Sequence, residues 1–261
     1  MKRALVGHTG FVGSNLLRQA DFDDLYHSRN IEAIAGRRYD LVVCAGAPAE
    51  KWKANQDPVA DRTNLLRLMM ALAQVQTRRL ILISTVDVHG EPRGVDEASP
   101  IDPARATPYG RHRRALEVFL AHRFPTLIVR LPGLFGPGLK KNVLYDLLHN
   151  NGVDRVQPDS QFQFYGLDHL WSDVTLAMKC QIPVLHAATA PLTVAEIAHR
   201  CFGRDLPKAM EPSPVRYDFR SGFCELFGGS NGYLYGREEV LAEIKRFVAT
   251  NREARYATSG V

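Results

Sequence analysis

Three glycines within the first thirteen residues constrain the fold more than any other feature of the chain. Lys2–Val6 is a short apolar segment of strand character, and Gly7-His8-Thr9-Gly10-Phe11-Val12-Gly13 follows it directly. From Phe11 to Ala20 apolar residues recur at helical spacing. A GxxGxxG loop between a strand and a helix has a physical reading. Gly7 permits the tight turn, Gly10 lets the backbone approach a pyrophosphate, and Gly13 lets the helix pack closely on the strand. Free N–H groups at the helix start then face the phosphates. Gly7, Thr9, Gly10, Phe11, Val12 and Gly13 are therefore candidates for binding a dinucleotide.

Strand and helix continue to alternate through residue 130. Asp40–Cys44, Leu80–Ile83 and Thr126–Val129 are apolar runs of strand length, and Asn64–Val75 and Arg111–His122 read as helices. The second strand is either Asp24–Ser28 or Ile31–Ala35. The strands are apolar throughout rather than on alternate residues, which suits a parallel sheet covered on both faces. Consecutive parallel strands require right-handed helical crossovers. After Arg130 the texture changes: Pro132, Gly133, Gly136, Pro137 and Gly138 break the pattern. A helix over Leu139–His149 follows. Val184–Leu185 is expected to return to the sheet. Val194–Cys201 and Glu238–Phe247 read as amphipathic helices, and Pro207–Pro214 as a loop.

A length of 261 residues allows one or two domains at about 150 residues each. The formal net charge is +5, but the 33 basic and 28 acidic residues are spread along the chain, with the densest basic patch at Arg111–Arg114. With no aromatic-basic motif, this charge reads as a soluble enzyme handling anionic ligands, not as nucleic-acid binding. No apolar run reaches the roughly eighteen residues of a membrane span. The opening residues meet glycine and threonine too early for a signal-peptide core. The four cysteines form no CxxC pair and the nine histidines no ligand spacing. A cytosolic, reduced chain without a metal is the expectation.

The glycine loop resembles that of the extended short-chain dehydrogenase/reductase family, also called the NAD-dependent epimerase/dehydratase family. Other segments are similar in order and spacing. Cys44-Ala45-Gly46-Ala47 stands at the family's small-residue turn over the cofactor, and Asn64 at a helix position where the family has asparagine. Ile83-Ser84-Thr85-Val86-Asp87-Val88-His89-Gly90 resembles its serine/threonine strand end. Tyr109-Gly110-Arg111-His112-Arg113 falls on its Tyr-x-x-x-Lys, and Arg130–Pro137 resembles the segment after the next strand. The likeness is clear over residues 1–140 and looser beyond, where Pro191-Leu192-Thr193 resembles a feature of the substrate lobe. The fold implied is α/β, a Rossmann-type doubly wound parallel sheet with a small C-terminal substrate lobe. The dinucleotide-binding domain would span 1–132, with a strand returning near 180–187. Residues 133–261 would form mainly the substrate lobe.

The resemblance implies a nicotinamide cofactor contacted by the glycine loop, by Ala45, Gly46 and Ala47, by Leu131, and by the end of the second strand. In one reading of that strand its end presents Ser28 and Arg29; in the other it presents Gly36, Arg37 and Arg38. Guanidinium matches the geometry of a 2′-phosphate in two hydrogen bonds, so NADP is expected. NAD is the alternative, with Glu32 as the acid for its ribose.

In the resembled family a tyrosine exchanges a proton with a substrate oxygen while the nicotinamide exchanges hydride. Tyr109 would hold this role, with Thr85 as hydrogen-bond partner of the same oxygen and Ser84 as the neighbour if the register slips. Arg113 replaces the family lysine, which binds the nicotinamide ribose and lowers the tyrosine pKa. It supplies charge and would pull Tyr109 down, but it does not readily release a proton. His112 would point about 100° away from it on a helix. Family dehydratases carry an Asp-Glu pair after the threonine; here those places hold Val86 and Asp87, which argues against 4,6-dehydration. Asp87 is a candidate sugar contact or a solvated loop acid. Asn142, with Lys140 and Lys141 before it, is a candidate for the sugar or its diphosphate. The implied activity is an NAD(P)-dependent reductase or epimerase of a sugar, nucleotide-linked, in a homodimer built from helices near 57–76 and 109–122. A non-catalytic NAD(P)-binding sensor or scaffold is the alternative.

Overall fold

A computed structural model describes residues 1–207 and 213–258, with the side chains of 254–258 left out. Its strands are β1 (Arg3–Val6), β2 (Asp24–Tyr26), β3 (Arg38–Cys44), β4 (Gln76–Thr85), β5 (Thr126–Leu131), β6 (Gly133–Phe135), β7 (Gln161–Phe162), β8 (Phe164–Gly166), β9 (Val184–His186) and β10 (Leu192–Thr193). Its α-helices are α1 (Phe11–Leu16), α2 (Lys51–Gln56), α3 (Pro58–Leu72), α4 (Pro108–Arg123), α5 (Val143–His149), α6 (Leu170–Lys179), α7 (Val194–Phe202) and α8 (Arg237–Thr258). Among the described residues no helix is long and apolar enough to cross a membrane.

Contacts divide the chain into two units, 1–131 with 168–186, and 132–167 with 187–261. The first is a six-stranded sheet in the order β2-β1-β3-β4-β5-β9, with every neighbouring pair parallel. The chain leaves β1 toward β2 on one side and then places β3 on the other, so the order reverses between β1 and β3. Ligands of open α/β sheets bind beyond the carboxyl ends of the strands at such a reversal. The apolar runs are buried on both faces, as their composition requires. Ala4, Val6, Val42, Cys44, Leu80 and Leu82 pack with Leu65, Leu68 and Leu72 of α3 and Leu116 and Leu120 of α4. Leu5, Val43, Ile81 and Ile83, which alternate with them, are buried too.

Of the two readings of the second strand, the one starting at Asp24 holds. Ile31–Ile34 is a single 3-10 turn, with Ile31 and Ile34 turned inward. Arg38 therefore opens β3 at the end of the sheet away from the glycine loop, which removes Arg37 and Arg38 from the cofactor end. The helix expected at Asn64 starts six residues earlier, because Asp57 accepts a hydrogen bond from the Ala60 N–H and Pro58 takes the first turn. Asn64 is exposed in its middle. Of the Pro207–Pro214 loop, residues 208–212 lie outside the described residues.

The second unit joins two small strand pairs, β6 with β8 and β7 with β10, to α5, α7 and α8 over their own core. Leu144, Leu147, Ile197, Val240 and Ile244 fill it. Thr193 caps α7 by accepting from the Glu196 N–H.

Candidate active site

The glycine loop turns at Gly7, whose φ of +87° suits glycine and whose N–H donates to the Tyr26 carbonyl at 2.8 Å. A Cβ there would lie 2.3 Å from the Ala45 oxygen, so the small-residue turn after β3 closes directly on the loop. A Cβ on Gly13 would meet the Gly7 oxygen at 2.1 Å. Gly10, by contrast, would meet only the Gly7 oxygen, at 3.3 Å, leaving its outer side open. Thr9, Phe11, Val12, Ala45, Gly46 and Ala47 all belong to this end of the sheet, and Leu131 ends β5 in register with Thr85 at the end of β4. The cradle fits a dinucleotide backbone.

At the end of β2 stand His27, Ser28 and Arg29, with no acid among them. The rings of His8 and His27 meet edge-on at 5.4 Å, and burial, then His27, lowers the His8 pKa. Glu32, the alternative ribose acid, is held by Arg67 of α3.

Tyr109 lies in the first turn of α4 because the helix begins at Pro108 rather than Arg111. The helix presses on the turn after β4: a Cβ on Gly110 would fall 2.1 Å from the Asp87 oxygen. Thr85 ends β4 just before that turn, close enough to act on the Tyr109 phenol. Thr85 Oγ1 also accepts from the Asp87 N–H at 3.2 Å. Ser84, one residue earlier, faces elsewhere. Its hydroxyl donates to Glu117 Oε1 at 2.6 Å in a buried group with Arg130, so it does not serve as a second Thr85.

Arg113 is buried, with both terminal nitrogens of its guanidinium engaged and its Nε without a hydrogen-bond partner. Its guanidinium donates to Asp61 Oδ2 at 2.5 Å and to the Pro48 carbonyl, and its centre lies 3.9 Å over the Tyr109 ring. His112 reaches the same Asp61 oxygen at 2.7 Å, so the two neighbours converge on one carboxylate despite their offset on the helix. Arg113 therefore stands on the ring face of Tyr109. The expected fall in the tyrosine pKa is corrected: burial raises it above the ordinary value and outweighs Arg113, the largest opposing influence. Asp87 adds to the rise, while Thr85 and then Lys51 oppose it.

Asp87 is not a solvated loop acid. It pairs with Lys51 of α2 at 2.8 Å, and its Oδ2 lies 3.4 Å from Thr85 Oγ1. Asn142 is corrected as well. Its Oδ1 accepts from the N–H groups of Leu144 and Tyr145, and its amide donates to the Leu134 carbonyl, so it is the N-cap of α5 rather than a sugar contact. Lys51, Asn55 and Asp61 are residues the sequence reading missed. Asn55 Oδ1 accepts from the Tyr109 N–H at 3.0 Å.

A model of the NAD dependent epimerase/dehydratase family matches residues 20–155. The chain belongs to this family. The match takes in Thr85, Asp87, Tyr109 and Arg113, and the glycine loop precedes it. Members of solved structure share the whole fold at low identity. A dTDP-4-dehydrorhamnose reductase from Clostridium acetobutylicum aligns at 16% identity over 97% of this chain and 100% of its own, with a TM-score of 0.73. RMD from Pseudomonas aeruginosa, complexed with NADPH, aligns at 17% over 98% and 100%, with a TM-score of 0.74. DesIV, a dTDP-glucose 4,6-dehydratase from Streptomyces venezuelae with NAD bound, aligns at 17% over 98% of each chain, with a TM-score of 0.74. No curated protein matches the sequence.

Proposed function

We propose that this chain is an NADP(H)-dependent reductase or epimerase of a nucleotide-linked sugar. The observation that carries the reading is that the first turn of α4, with Tyr109, packs on the turn directly after Thr85 at the carboxyl end of β4, in the unit that holds the glycine cradle. Similar structures with NADPH or NAD and with sugar-nucleotide activities in their names support the substrate and cofactor classes. Arg29 beside a β2 end without an acid, with Glu32 held by Arg67, supports NADP(H). A bound nicotinamide supplies or takes the hydride. Tyr109 gives its proton to the substrate oxygen in reduction and takes it back in oxidation, and Thr85 holds that oxygen by hydrogen bond. Its burial keeps Tyr109 protonated at neutral pH, the form a reductase needs. Val86 and Asp87 in place of an Asp-Glu pair support reduction or epimerisation over dehydration.

The reading is tested by NADPH consumption with a panel of 4-keto sugar nucleotides. Tyr109→Phe should lower turnover about 100-fold or more and leave NADPH affinity nearly unchanged. A second reading, a dinucleotide-binding sensor without turnover, is favoured by one observation: Asp61 neutralises the arginine that replaces the family lysine. Tight NADPH binding with no consumption across the panel would select it. Exposed Val59, Leu66 and Met70 on α3 and Val118 on α4 support a homodimer through these helices, to be checked by light scattering. Free cysteines suit a reducing compartment such as the cytosol.

A further inference from the structure

We propose that the paired imidazoles of His8 and His27 take up a proton when a 2′-phosphorylated dinucleotide binds, so that the chain holds NADP(H) more tightly as pH falls while NAD(H) binding stays level. The inference rests on the reading of the chain as NADP(H)-dependent.

Both rings belong to the glycine cradle. His8 is the second residue of the loop, and His27 directly follows β2. The Tyr26 carbonyl accepts from the Gly7 N–H at 2.8 Å and from the His8 N–H at 3.4 Å. Loop and strand end are thereby tied together, with the two rings edge-on at 5.4 Å. His27 stands twenty residues after Gly7, the spacing at which a dinucleotide fold places the group that meets the adenosine ribose. An imidazole holds that place here instead of an acid.

The His27 ring is set as a donor. Its Nδ1 accepts from the Arg29 N–H at 3.1 Å, so its own proton sits on Nε2. The His27 N–H donates to Asn30 Oδ1 at 2.7 Å, and the Asn30 amide donates to the Leu25 carbonyl at 3.3 Å. The turn that carries the ring is therefore closed on itself before any ligand arrives. His8 is the partner that changes. Burial, then His27, hold its pKa below the ordinary histidine value, so it stands uncharged at neutral pH. Around the pair, Arg29 is exposed beyond His27, Glu32 is engaged by Arg67 of α3, and the first turn of α1 carries no acid. A phosphate dianion beside the rings supplies the counter-charge they lack and raises the pKa of His8. The bound state then holds one proton more than the free state between the two pKa values, so affinity rises as pH falls through that window. The ribose hydroxyl of NAD(H) carries no charge and draws no proton.

Isothermal titration calorimetry on the full chain tests this with NADP+ and NAD+ at pH 8 and pH 6.5. Two buffers of different ionisation enthalpy count the protons taken up. The NADP+ dissociation constant should fall about three- to tenfold between these pH values, with uptake approaching one proton, and that of NAD+ should move less than about twofold. His8→Asn keeps a hydrogen-bonding side chain that does not titrate. It should lose the NADP+ step while its NAD+ binding shows that the cradle still stands. His27→Asp returns an acid to the ribose position and should weaken NADP+ binding about tenfold or more while keeping NAD+ binding. An NADP+ affinity level across pH, a step that persists in His8→Asn, or equal proton uptake with both dinucleotides overturns the proposal. NADP+ binding no tighter than NAD+ binding in the parent chain removes the NADP(H) reading, and the proposal with it.

Discussion

The two sides of Tyr109 are built from different physics. On its ring face Arg113, Asp61 and the Pro48 carbonyl form a buried set in which the guanidinium pairs with the carboxylate. At the turn on which its helix packs, Thr85, Asp87 and Lys51 lead outward to a half-exposed ammonium. The first arrangement is closed to solvent and the second is partly open to it. A basic residue four positions after a tyrosine therefore meets it in the way its own partners allow, here over the ring face.

The largest expected effect separates the two sides by stability. Arg113→Ala leaves the Asp61 carboxylate buried without its main partner and should cost about 3–5 kcal/mol. Lys51→Met, at a half-exposed pair, should cost less than about 1 kcal/mol. Urea denaturation measures both, and equal losses would erase the distinction.

Acid should strike a further closed set in the same unit. His89 is buried against Arg130 and His186, and burial, then Arg130, pushes its pKa down to about 4. The unfolded histidine binds its proton near pH 6.5, so the native state holds fewer protons between these values. Stability should fall as pH drops from about 6.5 to about 4, by at most about 3 kcal/mol. His89→Asn should flatten this slope in thermal melts, and a slope unchanged in that variant would place the acid-sensitive group elsewhere.

Gly110→Ala drives a methyl into the Asp87 carbonyl and should cost about 1–3 kcal/mol. It should also displace the Thr85–Asp87 turn and so lower turnover more than a stability loss of that size explains. Arg29→Ala touches neither side of the tyrosine. It should weaken NADPH binding by about 1 kcal/mol and leave NADH binding unchanged, read by calorimetric titration.

The parallel sheet was legible because the inner stretches of β3, β4 and β5 are continuous apolar runs and its loops carry glycine at the points of closest approach. That Thr85 ends a strand and Tyr109 stands at the start of a helix was legible by order and spacing. The second strand was not: three residues, Asp-Leu-Tyr, give too short a run to outweigh Ile31 and Ile34, which are buried from a 3-10 turn. Asn142 carried a readable signal, since asparagine directly before Val-Leu-Tyr is an N-cap pattern, but its place after a Gly-Pro-Gly loop drew the ligand reading instead. Asp61 and Lys51 lie 52 and 36 residues from their partners Arg113 and Asp87. Nothing local in the sequence announces such pairs; only helix packing brings them together.

The shared carboxylate of Asp61 bears on how this chain would be redesigned. Returning position 113 to lysine trades a planar fork that serves Asp61 and the Pro48 carbonyl together for a single ammonium on a thinner stem. His112 would then be left as the other ligand of an under-served acid. The arginine and the aspartate behave as one structural unit, and a change to the tyrosine–lysine pattern passes through position 61 as well as position 113.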